Sequence, residues 1–320
     1  MPSLFGIVAF CIVLCLGGTA QSYLIDTVSC GNDVGLVREL AEQALTMATA
    51  ASDAIGANPL DAYTTFLLAQ LFNPPNGNAQ EEVQKVFQKG TSSDGTITGI
   101  LSFREEKTGA ISPLPSYEAV IFCDETRLEK VDWNDNMIKD LHNMNNDCNN
   151  AFMYTDRFEH KPDAIQICPW FLQYVKAKKY HTTKDLTSTR AKLAVAGLDK
   201  LITKVLYRPI DLLTLWDKCM LHEMIHTKAG NSRNDVKKFS SYGWKNCKKI
   251  STEANKCFDN ADSFAILGSA LYWKTQDREI DDDGKFTSPP TGQRSNIGFV
   301  GSGAGRGSDT VKNDAVKRFM

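Results

Sequence analysis

The stretch Asp211–Thr227 reads DLLTLWDKCMLHEMIHT, and the rest of the chain takes its meaning from it. Pro209 before it and Gly230 after it are a start and a stop signal for one helix. Inside it, His222-Glu223-Met224-Ile225-His226 sets two imidazoles four residues apart, just over one helical turn. Both rings therefore project from the same face and can grip one metal ion. Glu223, beside the first ring, can act as general base on water at that metal without binding the metal itself. Imidazole nitrogens with one further nitrogen or oxygen ligand, and a fourth position open to water, suit zinc, one ion per chain. A random chain of this length carries the pattern roughly once in a hundred. The surrounding Leu213, Trp216, Met220, Leu221, Met224 and Ile225 favour a built site over two histidines on an ordinary amphipathic helix.

The third ligand lies downstream. No His follows His226, and Ser232 stands where a pattern with a third His six residues on would need one. Glu253 is in range for a carboxylate on a second helix, but its surroundings (Ser251-Thr252-Glu253-Ala254-Asn255-Lys256) lack the Asp that accompanies such a ligand. Asp235 lies nine residues past His226 on the polar run Asn231-Ser232-Arg233-Asn234-Asp235. A loop turning back after Gly230 would bring its carboxylate to the metal. Asp235 is the expected ligand, with Glu253 as the alternative.

The chain around this site is 320 residues long, 42% hydrophobic and 23% charged, with a net charge of -2. That balance suits a folded domain with a sizeable core and argues against a protein that binds nucleic acid or membrane surfaces mainly through charge. Leu4–Leu16 is an unbroken apolar run followed by Gly17-Gly18-Thr19-Ala20, which fits a secretory signal peptide over residues 1–20 cleaved before Gln21. Thirteen apolar residues are too few for the roughly 20 of a spanning helix. The mature protein is therefore expected outside the cell, unattached to membrane and monomeric. Removal of Cys11 and Cys15 leaves Cys30, Cys123, Cys148, Cys168, Cys219, Cys247 and Cys257, enough for up to three disulfides and one thiol.

Periodicity predicts helices over 32–54, capped by Asn32 and facing the core with Val34, Val37, Ala41, Leu45, Ala48 and Ala51, and over 62–72, 81–87 and 186–206. Strands are expected at 96–103, 117–123 and 164–168 from β-branched and aromatic content. The Asn-rich stretch 134–150 reads as a loop. His142, His160 and His181 lie in polar surroundings without metal-like spacing, and the basic run Lys176, Lys178, Lys179 and Lys184 reads as solvated surface. Residues 276–320, with Asp281-Asp282-Asp283, Pro289-Pro290 and a Gly/Ser run, read as a disordered tail, leaving a catalytic domain over 21–275.

Several of these segments together resemble the aspzincin peptidases, the deuterolysins and fungal lysine-specific metallo-endopeptidases. The resemblance is carried by the HEMIH helix, an Asp nine residues on, Tyr242-Gly243, Asn260-Ala261-Asp262-Ser263-Phe264 and the Cys168-Pro169 segment, and is clearest over 148–273. It implies a mainly helical α+β zincin-like domain and a zinc endopeptidase acting on protein or peptide substrates. His222, His226 and Asp235 would hold the metal, Glu223 would be the base, Tyr242 would stabilise the transition state and Asp262 would line a specificity pocket or orient a ligand. The chain departs from the family in lacking Gly-Thr before the Asp and in placing Phe239 three residues before the Tyr, as though four residues were inserted. Ala265 stands where lysine-specific members carry an acidic residue, which argues against strict lysine specificity. A catalytically inactive relative retained as an extracellular binding or effector protein is the alternative, and a disulfide-stabilised protein with a coincidental motif a third.

Overall fold

In the computed structural model, residues 21–73, 78–91, 97–106, 119–125, 148, 151–177, 208–213, 215–253 and 256–287 are described. Chain order gives strand β1 (Gln21–Ile25), helices α1 (Val34–Gly56), α2 (Ala62–Leu71) and α3 (Ala79–Phe87), and strands β2 (Phe103–Glu106), β3 (Ala119–Phe122), β4 (Met153–Asp156) and β5 (Asp163–Ile167). Helices α4 (Pro169–Lys176), α5 (Leu215–His226), α6 (Trp244–Ile250) and α7 (Ala261–Lys274) follow. The architecture is α+β. The expected signal peptide, the 134–150 loop apart from residue 148, the 186–206 helix and the tail beyond residue 287 lie outside the described residues.

One five-stranded sheet runs in the order β2-β1-β3-β5-β4. Strand β1 is parallel to both β2 and β3, β3 is parallel to β5, and only the edge strand β4 is antiparallel. The central strands are buried on both faces, which is why AVIF reads as a continuous apolar run. Tyr23, Ile25, Ile121, Ile165 and Ile167 alternate into the main core beneath the helices. Leu24, Val120, Phe122 and Ala164 form a second cluster on the other face. Strands β1 and β4 were not expected from the sequence, and the strand expected at 96–103 is instead a short strand Ile97–Thr98, a turn of 3-10 helix Ile100–Ser102 and the first residue of β2.

Helix α1 is present, but Asn32 does not cap it. A turn of 3-10 helix, Gly31–Asp33, leads in, and Asp33 makes no capping hydrogen bond. Its buried stripe is also rotated: Val37, Leu40, Ala41, Ala44, Met47, Ala48, Ala51 and Ile55 are fully buried, whereas Val34 and Leu45 are only partly so. Helices α1, α5 and α7 pack on one another, and α5 also lies against β4. Gly268 lies where the three meet, and a Cβ there would stand 2.8 Å from a Leu221 methyl and 3.5 Å from the Met47 carbonyl oxygen. Helix α7 is buried along its whole length from Ala261 to Trp273, with the polar Asp262, Ser263 and Ser269 included.

Disulfides join Cys30 to Cys123 and Cys148 to Cys168, while Cys219, Cys247 and Cys257 are free thiols, so two bridges form among the described residues where up to three were expected. The tail boundary at 276 also moves. Residues 276–287 fold back on the domain, with Ile280 buried and its N–H donated to the Tyr63 hydroxyl (2.8 Å). Trp244 Nε1 donates to Asp282 O at 3.0 Å, and the Phe286 ring meets Trp273. Two apolar anchors with main-chain pairing suffice to order a segment whose composition is polar. Among the described residues no helix is long and apolar enough to cross a membrane.

Candidate metal centre

Helix α5 carries His222, Glu223 and His226 into the space between β4 and α7. The chain leaves the helix by a reversal that only glycine permits: a Cβ on Gly230 would stand 2.3 Å from Ile225 O. Asn231 and Ser232 follow at φ 64° and 52°, the left-handed region that Asn tolerates best. Ser232 N donates back to Thr227 O (2.8 Å) and Arg233 N to Ile225 O (3.3 Å). Arg157, just beyond β4, donates to Ser232 O (2.6 Å) and Asn234 Oδ1 (2.9 Å), and Asn234 pairs along its main chain with Asn260. This curl returns Asp235 to the histidines, as its spacing predicts.

Three donor groups converge there. His222 Nε2 and His226 Nε2 are 3.0 Å apart, Asp235 Oδ1 is 3.4 Å from the first and Asp235 Oδ2 is 3.5 Å from the second. Donors around a tetrahedral cation with bonds of 2.0–2.1 Å stand about 3.3 Å from one another. The set His222, His226 and Asp235 therefore fits a metal ion. The tautomers agree. His226 Nδ1 is 2.6 Å from Arg233 O, and since a carbonyl only accepts, the proton sits on Nδ1 and the Nε2 lone pair faces the cluster. Asp235 Oδ1 is buried without a hydrogen-bond donor, an atom suited to take a cation.

The local field is negative. Burial opposes protonation of His222, but the Asp235 carboxylate, with Asp262 and Glu223 nearby, outweighs it and lifts His222 to about 10. Burial likewise opposes ionisation of Asp235, but the two imidazoles hold it well below the usual carboxylate range. Tyr242 donates its hydroxyl to Asp235 Oδ2 (2.7 Å), and burial together with that carboxylate pushes the phenol above its ordinary value. A cation must displace the proton from His222. Metal uptake near pH 7 should therefore release about one proton per chain, and apparent affinity should rise about tenfold per pH unit toward pH 10. Calorimetry in buffers of different ionisation enthalpy checks this, and pH-independent affinity would contradict it.

Asp262 lies behind His222 rather than on the surface. It is buried at the start of α7, accepting from Gly243 N (2.6 Å) and Lys218 Nζ (3.0 Å), and its Oδ1 is 3.4 Å from His222 Nδ1. The last contact is too poorly aligned for a full hydrogen bond and acts through charge, steadying the ring that faces the metal position. Glu253, the alternative ligand, is paired with Lys237 and with Lys256 (2.8 Å) and takes no part in the cluster. His160 is exposed beside Glu159, Lys176 pairs with Asp33, and His142, His181, Lys178, Lys179 and Lys184 lie outside the described residues.

A 3-10 turn, Lys238–Ser241, lies between Asp235 and Tyr242, and the Tyr242 phenol reaches the Asp235 carboxylate. Sequence reading missed Lys218 and Thr155. Lys218 left a signal, since it stands one helical turn before His222 in an apolar run. Thr155 left none. Asp235→Ala should strip the site of metal as His226→Ala would, which equilibrium dialysis would detect. Full occupancy in the variant would send the search to another carboxylate. No family model, curated protein or solved structure matches this chain.

Proposed function

We propose that the protein is a secreted zinc endopeptidase of aspzincin type. The observation that carries the reading is the convergence of ligand atoms of His222, His226 and Asp235 within 4.8 Å of one another, with the buried Glu223 carboxylate on the same helix. Two disulfides are in keeping with an oxidising compartment outside the cytosol. The antiparallel edge strand beside the HExxH helix supports a zincin-like arrangement. A bound zinc ion supplies Lewis acidity and lowers the pKa of water from near 15.7 to about 7.

The chain's own residues do the remainder. Glu223 takes the proton from the attacking water and returns it to the departing amine. Tyr242 turns its hydroxyl from Asp235 to the oxygen that gains negative charge. Strand β4 offers a place for the substrate backbone. Cys168 N donates to Phe152 O (3.0 Å), so in the alternating antiparallel pattern Phe152, Tyr154 and Asp156 face β5, while Met153 and Thr155 turn their main-chain groups outward. An extended peptide can add there as a further strand. With Asp262 engaged by Lys218 and Ala265 in place of an acidic residue, a preference for lysine side chains is not expected.

Metal analysis of the purified protein and cleavage of casein and peptide libraries, with and without a chelator, test the reading. About one zinc per chain with chelator-sensitive cleavage supports it. Zinc without cleavage points to a binding or effector protein, and neither to a coincidental motif.

A further inference from the structure

Thr155 is half-buried on β4, the edge strand of the sheet among the described residues, and its side chain reaches the base. Its hydroxyl oxygen is 2.9 Å from Glu223 Oε2 and 3.0 Å from the Glu223 main-chain oxygen. The second contact exists because the helix ends there: Thr227 N donates to Met224 O (3.2 Å), three residues back, and Thr155 stands at the Glu223 carbonyl instead. Glu223 is buried, and the Thr155 hydroxyl lies within hydrogen-bond distance of its carboxylate. Its side chain has several rotatable bonds, and an unanchored carboxylate would sample positions that a proton transfer cannot use.

We propose that Thr155 is the positioning residue of Glu223, fixing one carboxylate oxygen so that the other faces the metal position. The inference rests on the metallopeptidase reading of the site. A hydroxyl both donates and accepts. Thr155 can thus donate to the carboxylate, or accept from the carboxylic acid while its own proton goes to the Glu223 carbonyl, and it holds the side chain throughout a cycle in which Glu223 gains and loses a proton. The same residue turns its main-chain N–H and C=O outward from β4. A peptide paired with that edge would therefore be set in register with the group that activates water, substrate docking and base alignment sharing one residue.

The test compares Thr155→Val, which keeps the shape and removes the hydroxyl, with Thr155→Ser, which keeps the hydroxyl, in the full-length zinc-loaded protein. Thr155→Ala serves should the valine variant not fold. The valine variant should lose about 100-fold in kcat with KM and zinc content unchanged. The serine variant should stay within about threefold of wild type. A crystal structure of the valine variant should show the Glu223 carboxylate turned away or spread over several positions. Wild-type kcat in the valine variant, or a serine variant as impaired as valine, would overturn the proposal. Should the wild type bind zinc and cleave nothing, the peptidase reading fails. Thr155 is then judged by the crystal structure alone: a displaced carboxylate upholds its positioning role, and an unmoved one removes it.

Discussion

Replacing Glu223 by glutamine should leave zinc bound and remove nearly all peptidase activity. Glutamine keeps the length of the side chain and its contact with Thr155, but it cannot take a proton from water. Positioned proton transfer contributes typically 100- to 10,000-fold, about 3 to 5 kcal/mol of barrier. Burial raises the Glu223 pKa, against the pull of both histidines, which brings its basicity toward what a reaction near neutral pH requires. The carboxylate is not among the three donors, so metal content should not change. Steady-state kinetics on a cleavable peptide, alongside zinc analysis, decide the matter. An active glutamine variant would break the mechanism, whereas an inert wild type holding zinc would make this chain a non-catalytic relative.

Lys218→Met should cost more stability than any single surface change. Lys218 Nζ is 3.0 Å from Asp262 Oδ1, with the two side chains only 7% and 3% exposed, and Asp211 is buried close by. Burial alone would discharge both partners. Their mutual attraction instead keeps Lys218 above its ordinary value and Asp262 below. Methionine fills the space but leaves two buried carboxylates without their cation. The expected loss is about 3 to 5 kcal/mol, on the order of 10 °C in melting temperature. The pH window follows from the signs. Asp262 contributes stability above its unfolded value of 3.8 and loses it as pH falls through the lower folded value. Lys218 contributes fully below its unfolded value of 10.5 and loses it as pH rises through the higher folded one. Wild type and variant should therefore differ most between these limits. Adding Asp262→Asn should restore part of the loss, and a Lys218→Met protein as stable as wild type at pH 7 would refute the assignment. His222 leans on the same carboxylate, so zinc affinity should fall as well.

Local periodicity made part of this protein legible. The histidine pair is a property of one helix, because residues four apart are neighbours on any helix, whatever surrounds it. The spans of α1, α2 and α3 and strands β3 and β5 came from the same kind of signal. Asp235 could be chosen from its spacing after His226 and from the absence of any later His. The spacing of Tyr242 from Asp235 was legible only as a departure, since whether four extra residues throw the phenol out of the site depends on how they coil.

Tertiary structure alone decided the rest. Thr155 meets Glu223 across 68 positions of sequence and Lys218 meets Asp262 across 44. Asp262 looked equally able to face a substrate or a ligand, and only the packing of α7 on α5 set it behind His222. Asn32 lost its cap to a 3-10 turn, and residues 276–287 gained order from Tyr63, Trp244 and Trp273, partners in three different helices. The physical reason is common to all of them. Helical and strand periods repeat every two to four residues and record which face of an element is apolar. A contact between elements depends on how those faces are laid together, and no spacing along the chain carries that.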